Sequence, residues 1–226
     1  MYDQPLPSLA KRVAPQGRVF CFGIENLYYR GYVMNIEIRK LTPDLAEEYA
    51  CFFDTTQHND TYGHKCYCVS WRSDDTYFGD DDHWYSTAEE RRTKAVQYIK
   101  DGKLQGYLAF DDGKVIGWCN ATADCKKGVE VFRSWGWQIE KCDSGSMVKS
   151  IFCFVIAPET KRKGVATQML AHVCKDAADD GFDFVEGYTN DNFIDDGYRG
   201  PLAMYEKCGF IKHSEHDGKI VMRKAL

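Results

Sequence analysis

The chain contains no apolar run approaching the roughly 20 residues that a membrane-spanning helix needs. An excess of basic charge is also missing. Lys and Arg total 29 against 34 Asp and Glu, a formal net charge of -5. Non-specific nucleic-acid binding rests on a basic footprint, so that class is set aside. The N-terminus lacks the charged-then-apolar pattern of an export signal, and a cytoplasmic location is expected. Ten cysteines are present, yet no Cys-x-x-Cys pair occurs. Several of them (Cys153, Cys174, Cys208) fall at apolar positions of strand or helix patterns. Reduced thiols are therefore expected, and no metal site. There is no internal repeat and no low-complexity tract.

Proline is scarce, with six in the chain. Pro5, Pro7 and Pro15 all fall in residues 1–33, where the hydrophobics follow no period. We expect this stretch to be an appendage, non-native or disordered, with Met34 opening the domain proper over residues 34–226. A structured native extension is the alternative. With 44% hydrophobic residues over 226 positions, the chain suits one domain with a full core.

The most informative stretch is Ser150–Leu170. Ile151–Ala157 is a short continuous apolar run that reads as a strand buried on both faces. Lys161-Arg162-Lys163-Gly164-Val165-Ala166 follows as a basic turn. A helix then runs on, with a stripe of Val165, Met169, Leu170, Val173, Cys174, Ala177 and Ala178. Strand, tight turn and helix N-terminus together suit an anion. The first helical N–H groups lack partners within the helix, and the dipole adds positive charge there. Gly164 lets a phosphate approach the backbone.

The remaining elements read in order. Asn35–Leu41 alternates as a half-buried strand. Thr42-Pro43 opens a helix burying Leu45, Tyr49, Phe52 and Phe53. Asp54–Tyr85 is a long loop in which acids alternate with aromatics. Coulomb attraction and aromatic faces suit a cationic amine, with Trp71, Asp74, Asp75 and Trp84 as candidate contacts. A solvated acidic loop is the plain alternative. His64, Cys66 and Cys68 would share one face if that part were a strand. Ser86 and Glu89 form a capping box for a helix to Lys100 burying Ala95, Val96 and Ile99. Leu104–Phe110 and Val115–Ala121 form a hairpin around Asp112-Gly113. Cys125–Gly145 is a loop with room for one short helix, whose Trp135 and Trp137 are candidate walls of an acceptor pocket. Phe182–Thr189 is a strand, with Val185 and Gly187 on one face and Glu186 and Tyr188 on the other. Gly200-Pro201 opens a helix carrying Tyr205, and Ile211–Lys224 closes the chain as a hairpin.

Two segments resemble a known family. Lys161-x-x-Gly164-x-Ala166 is similar to the Arg/Gln-x-x-Gly-x-Gly/Ala signature of the GNAT acyltransferase superfamily, with Lys161 departing from the usual first residue. Ala203-Met204-Tyr205-Glu206-Lys207-Cys208-Gly209-Phe210 resembles that family's Leu-Tyr-Glu-Lys-x-Gly-Phe segment. Gly117-Trp118 resembles its Val-Gly-aromatic strand end.

The resemblance implies an α/β fold with a mixed, mostly antiparallel sheet, flanking helices and a splayed strand pair that holds acetyl-CoA. It implies direct transfer of the acetyl group to an amine. Backbone groups of Phe154, Val155 and Ile156 would bind the pantetheine arm, with the strands of Phe154 and Phe184 apart. Lys161, Arg162, Lys163, Gly164, Val165 and Ala166 would bind the pyrophosphate. Tyr205 would protonate the leaving thiolate. Glu186 is the first choice of base, ahead of Asp183. An insertion before the tyrosine helix leaves neither Asn190 nor Asn192 assignable to the family's asparagine. The expected acceptor is a small cationic amine, aminoglycoside- or polyamine-like, with possible antibiotic resistance. A peptide or protein amine, or a non-catalytic acyl-CoA-binding module, is the alternative. No nucleic acid or membrane partner is expected, and the chain is expected to be a monomer or a homodimer.

Overall fold

A computed structural model describes residues 28–29, 32–56, 65–71, 87–123, 129, 132–133, 136–139, 145–191 and 197–226. Seven strands form one sheet. They are β3 (Ile36–Lys40), β4 (Gly106–Asp111), β5 (Lys114–Thr122), β6 (Val148–Ile156), β7 (Phe184–Asn190), β8 (Ile211–His216) and β9 (Lys219–Ala225). Their spatial order is β3-β4-β5-β6-β7-β9-β8. Among the described strands only the β6–β7 pair is parallel. The short strands β1 (Tyr28–Tyr29) and β2 (Tyr32–Val33) pair with each other. Residues 1–27, most of the expected appendage, lie outside the described residues.

Helices cover both faces. α1 (Ala46–Thr55) and α2 (Ala88–Lys100) share one core with Trp118, Phe152 and Tyr188. α3 (Val165–Asp179) and α4 (Leu202–Lys207) share the other with Ile151, Val185 and Met222. β6 is buried at eight of its nine positions, as its unbroken apolar run requires. Both hairpin turns place two successive residues at positive φ: Asp112 and Gly113, then Asp217 and Gly218. That conformation suits the Asp-Gly pairs found there.

Four local expectations change. The capping box sits one residue later. Thr87 Oγ1 accepts from the Glu90 N–H at 3.1 Å, and Glu90 Oε2 accepts from the Thr87 N–H at 3.0 Å. Ser86-x-x-Glu89 and Thr87-x-x-Glu90 satisfy the same pattern, so spacing alone could not choose. Ala178 is exposed while Ala177 is buried, because the 3.6-residue period turns the last position of the stripe away. Leu45 lies in a 3-10 turn (Pro43–Leu45) ahead of α1 and is only partly buried. Tyr67 and Cys68 have φ of 46° and 45° and belong to a turn, so Cys66 and Cys68 do not line a strand face. His64 lies outside the described residues.

Candidate active site

The site begins as a fork. β6 and β7 pair only from Val148↔Phe184 to Ile151↔Gly187. Beyond that point each strand stays with its other neighbour. β6 remains registered on β5 as far as Gly117↔Ile156, and β7 on β9 as far as Asn190↔Lys219. The parallel pair therefore splits past Ile151 and Gly187. Phe184 is in the paired part, opposite Val148, and the opening lies beside Phe154.

A segment of the chain itself enters this opening. The Phe154 N–H donates to the Tyr198 carbonyl at 2.5 Å. Thr189 Oγ1 donates to the Gly200 carbonyl, and the Tyr205 hydroxyl donates to the Arg199 carbonyl, each at 2.7 Å. Gly200 has φ +79°, and a Cβ there would fall 2.5 Å from Met204 Cε, so the close approach needs glycine. The Phe154 amide, expected to be free for a ligand, is thus engaged by the insertion that precedes the tyrosine helix.

Tyr205 is fully buried on α4 beneath the fork. Its ring lies over Gly187 and meets Phe210 edge-on, with centroids 5.3 Å apart. Burial pushes its phenol well above the ordinary tyrosine range. It is therefore protonated at neutral pH and able to donate.

The basic turn stands between β6 and α3. Arg162 has φ 61°, and Gly164 has φ 81° as the N-cap of α3. No side chain caps the helix, and its first turn carries no acid. Those amides carry partial positive charge, and Lys161, Arg162 and Lys163 stand beside them, with Glu159 of the preceding 3-10 turn close enough to feel the charge of Lys163.

The architecture that carries this site has counterparts among known proteins. The model of the acetyltransferase (GNAT) family matches residues 43–210. The chain belongs to the GNAT acetyltransferase family. Solved structures share the fold. An acetyltransferase of GNAT family from Streptococcus pneumoniae is 17% identical, with 85% of this chain and 100% of that chain covered and a TM-score of 0.50. The PaiA N-acetyltransferase from Thermoplasma acidophilum, solved with coenzyme A, is 15% identical over 85% and 100%, with the same TM-score of 0.50. The ribosomal-protein-S5-alanine acetyltransferase from Vibrio fischeri is 12% identical over 86% and 94%, also at 0.50. No curated protein matches the chain.

As a GNAT acetyltransferase the chain takes acetyl-CoA as its co-substrate. The residues fit that group: an uncapped helix start and three cations for phosphates, and a split strand pair for a narrow arm. No described helix is long and apolar enough to cross a membrane.

Glu186 lies on the opposite face from Tyr205. It is 2% exposed and paired to Arg223, with Nε 2.7 Å and Nη2 2.5 Å from Oε1. The Tyr188 hydroxyl donates to Glu186 Oε2 at 3.2 Å and lies 3.1 Å from Ser150 Oγ. Trp71 joins this side. Its ring packs against both Phe132 and Phe152, with centroids 5.2 Å from each; those two rings also touch each other at 5.6 Å, and Phe152 stacks on Tyr188. Trp71 is 6% exposed, so here it is core rather than open wall. Asp74, Asp75, Trp84 and Trp135 lie outside the described residues. Trp137 is buried against Phe132.

A separate groove of about 760 Å³ runs between α1, the β4–β5 turn and Ala157–Glu159. Glu48, Cys51, Thr55 and Lys114 line it, and none of the expected site residues does. The sequence reading also missed Tyr198, Arg199 and Arg223. Arg223 had one available signal: it is the first of two cations after Ile220-Val221-Met222, and the β7–β9 register places it opposite Glu186.

Proposed function

We propose that this acetyltransferase moves the acetyl group of acetyl-CoA directly to a primary amine of a small cationic acceptor. The observation that carries the chemistry is the place of the Tyr205 phenol, buried beneath the fork with its ring over Gly187. In this reading the edge of Phe154, Val155 and Ile156 receives the pantetheine arm. Lys161, Arg162, Lys163, Gly164, Val165 and Ala166 receive the pyrophosphate. The neutral amine attacks the thioester carbonyl, and the tetrahedral intermediate expels the CoA thiolate. Tyr205 gives that sulfur a proton. Glu186 takes the proton lost by the amine, through the Tyr188 hydroxyl that already donates to it.

The acceptor reading rests on the alternation of acids and aromatics in residues 54–85, with Asp74, Asp75 and Trp84 as the contacts; Trp71, packed into the core, is withdrawn from that set. A peptide amine is the second reading, because a ribosomal-protein acetyltransferase is among the proteins of similar fold. Residues 34–226 constitute the catalytic domain in this account. The test is Tyr205→Phe. Turnover should fall on the order of 10²-fold, the lower range for a positioned acid. Acetyl-CoA affinity should not weaken. Unchanged turnover would remove Tyr205 from the mechanism.

A further inference from the structure

The segment Tyr198–Gly200 engages several groups that the reaction would use. The Tyr198 carbonyl takes the Phe154 N–H, and the Arg199 carbonyl takes the Tyr205 hydroxyl. The Arg199 guanidinium carbon lies 5.5 Å from the Phe132 ring centroid, 5.2 Å from Trp137 and 4.9 Å from Tyr198. Three rings around one cation form an aromatic cage. Arg199 Nη2 donates to the Tyr198 hydroxyl at 2.9 Å and Nη1 to Asn190 Oδ1 at 3.4 Å, yet the fit is incomplete, because Arg199 Nε is buried with no hydrogen-bond partner among the described residues. A buried donor left unmade costs free energy, so this residue is held there at a penalty.

We propose that Arg199 is an internal stand-in for the acceptor: its guanidinium occupies a seat for the acceptor's cationic group on Phe132 and Trp137, and acetyl-CoA uncovers that seat by displacing Tyr198 from Phe154. The proposal rests on the acetyl-CoA reading of the fork. Tyr198 and Arg199 are consecutive, so a ligand amide that takes the Phe154 N–H cannot leave Arg199 undisturbed. The same movement releases the Tyr205 hydroxyl from the Arg199 carbonyl. One displacement therefore opens the arm's cleft, frees the acid and vacates two aromatic faces. Tyr188, which packs against Phe132 and Trp137, lines the vacated space and connects it to Glu186. The ligand class is a flat or compact cation, a guanidinium or an ammonium, and the order is acetyl-CoA first.

The test uses the unmodified full chain. Agmatine, a guanidinium on a short chain bearing a primary amine, is titrated by calorimetry with and without saturating coenzyme A, which carries no acetyl group to transfer. Coenzyme A should tighten agmatine binding at least about tenfold. Agmatine should tighten coenzyme A by the same factor, since coupling is reciprocal. A second arm uses Thr189→Val, which keeps the side-chain shape and removes the donor to the Gly200 carbonyl. With one latch bond gone, coenzyme A should bind roughly two- to tenfold tighter. Equal agmatine affinity in both conditions, or none on the coenzyme A complex, would overturn the seat. Unchanged or weaker coenzyme A binding by a Thr189→Val protein that melts like wild type would overturn the latch. If coenzyme A binds neither protein, the cofactor reading of the fork fails with it. If it binds without coupling to agmatine, the stand-in alone fails.

Discussion

The Tyr205 ring occupies the space that a side chain would need at Gly187. A Cβ built there falls 2.2 Å from Tyr205 Cε1 and 2.7 Å from its hydroxyl oxygen. The last β7 residue paired with β6 is thus glycine because the Tyr205 ring lies on it. Gly187→Ala should displace the ring and cost about 1–3 kcal/mol as overpacking. Turnover should fall more than acetyl-CoA affinity does. Thermal melting and a split of kcat from KM would check both halves. An active, equally stable Gly187→Ala protein would contradict this placement.

Gly164 makes a different demand. An L-residue at φ 81° is strained by about 1–2 kcal/mol, and under the proposed function this residue adjoins the first amides of α3 that receive the pyrophosphate. Gly164→Ala should weaken acetyl-CoA binding and leave acetyl-pantetheine, which lacks the phosphates, unaffected. Equal weakening of both ligands would mean that the turn does not hold phosphate.

Glu186 and Arg223 stand or fall together. Glu186→Ala leaves a guanidinium that is only 20% exposed without its carboxylate, at a cost of about 3–5 kcal/mol. Replacing both with apolar residues of similar volume should recover much of that stability. Glu186→Gln keeps an oxygen acceptor for Arg223 but not its countercharge, so part of that stability is lost as well. If Glu186 accepts the amine's proton, turnover per folded molecule should be lost in addition.

Asp54 ties the Trp71-bearing segment to the helices. Its Oδ1 accepts from the Tyr67 hydroxyl at 2.6 Å, and its carboxylate lies 3.0 Å from Arg92. Burial alone would push this carboxyl up, but the hydrogen bonds from Tyr67 and Arg92 and nearby positive charge outweigh it and hold it below the ordinary value. A folded value depressed below the unfolded one stabilises above the unfolded value of 3.8 and is lost as pH falls through the folded one. The stability advantage of wild type over Asp54→Asn should therefore be full at neutral pH. It should shrink below about pH 4 as the carboxyl protonates, in melts run from pH 7 to pH 2. A constant difference would contradict it.

Much of this arrangement was readable from local pattern. The unbroken apolar run of β6, the Asp-Gly turns and the glycine-terminated tyrosine helix each have one cheap solution. The same holds for Lys161–Ala166, where the turn and the helix start are contiguous in sequence. What escaped reading depended on partners distant in sequence. Phe154 looked free because the segment that takes its N–H lies 44 residues on, in an insertion without a repeating pattern. Glu186 was read as a candidate base, and its partner went unnamed because Arg223 reaches it only through strand pairing. Trp71 read as a loop aromatic, yet two rings from other segments stack on it.

The most direct measurement is mass-spectrometric detection of acetylated product. The purified chain would be incubated with acetyl-CoA and pooled aminoglycosides, polyamines, amino acids and short peptides. The account predicts a single acetyl gain on a cationic small amine, absent without protein and strongly reduced for Tyr205→Phe. Acetyl-CoA that binds with no acetyl gain on any amine would contradict catalysis, and a gain confined to peptides would contradict the small cationic acceptor.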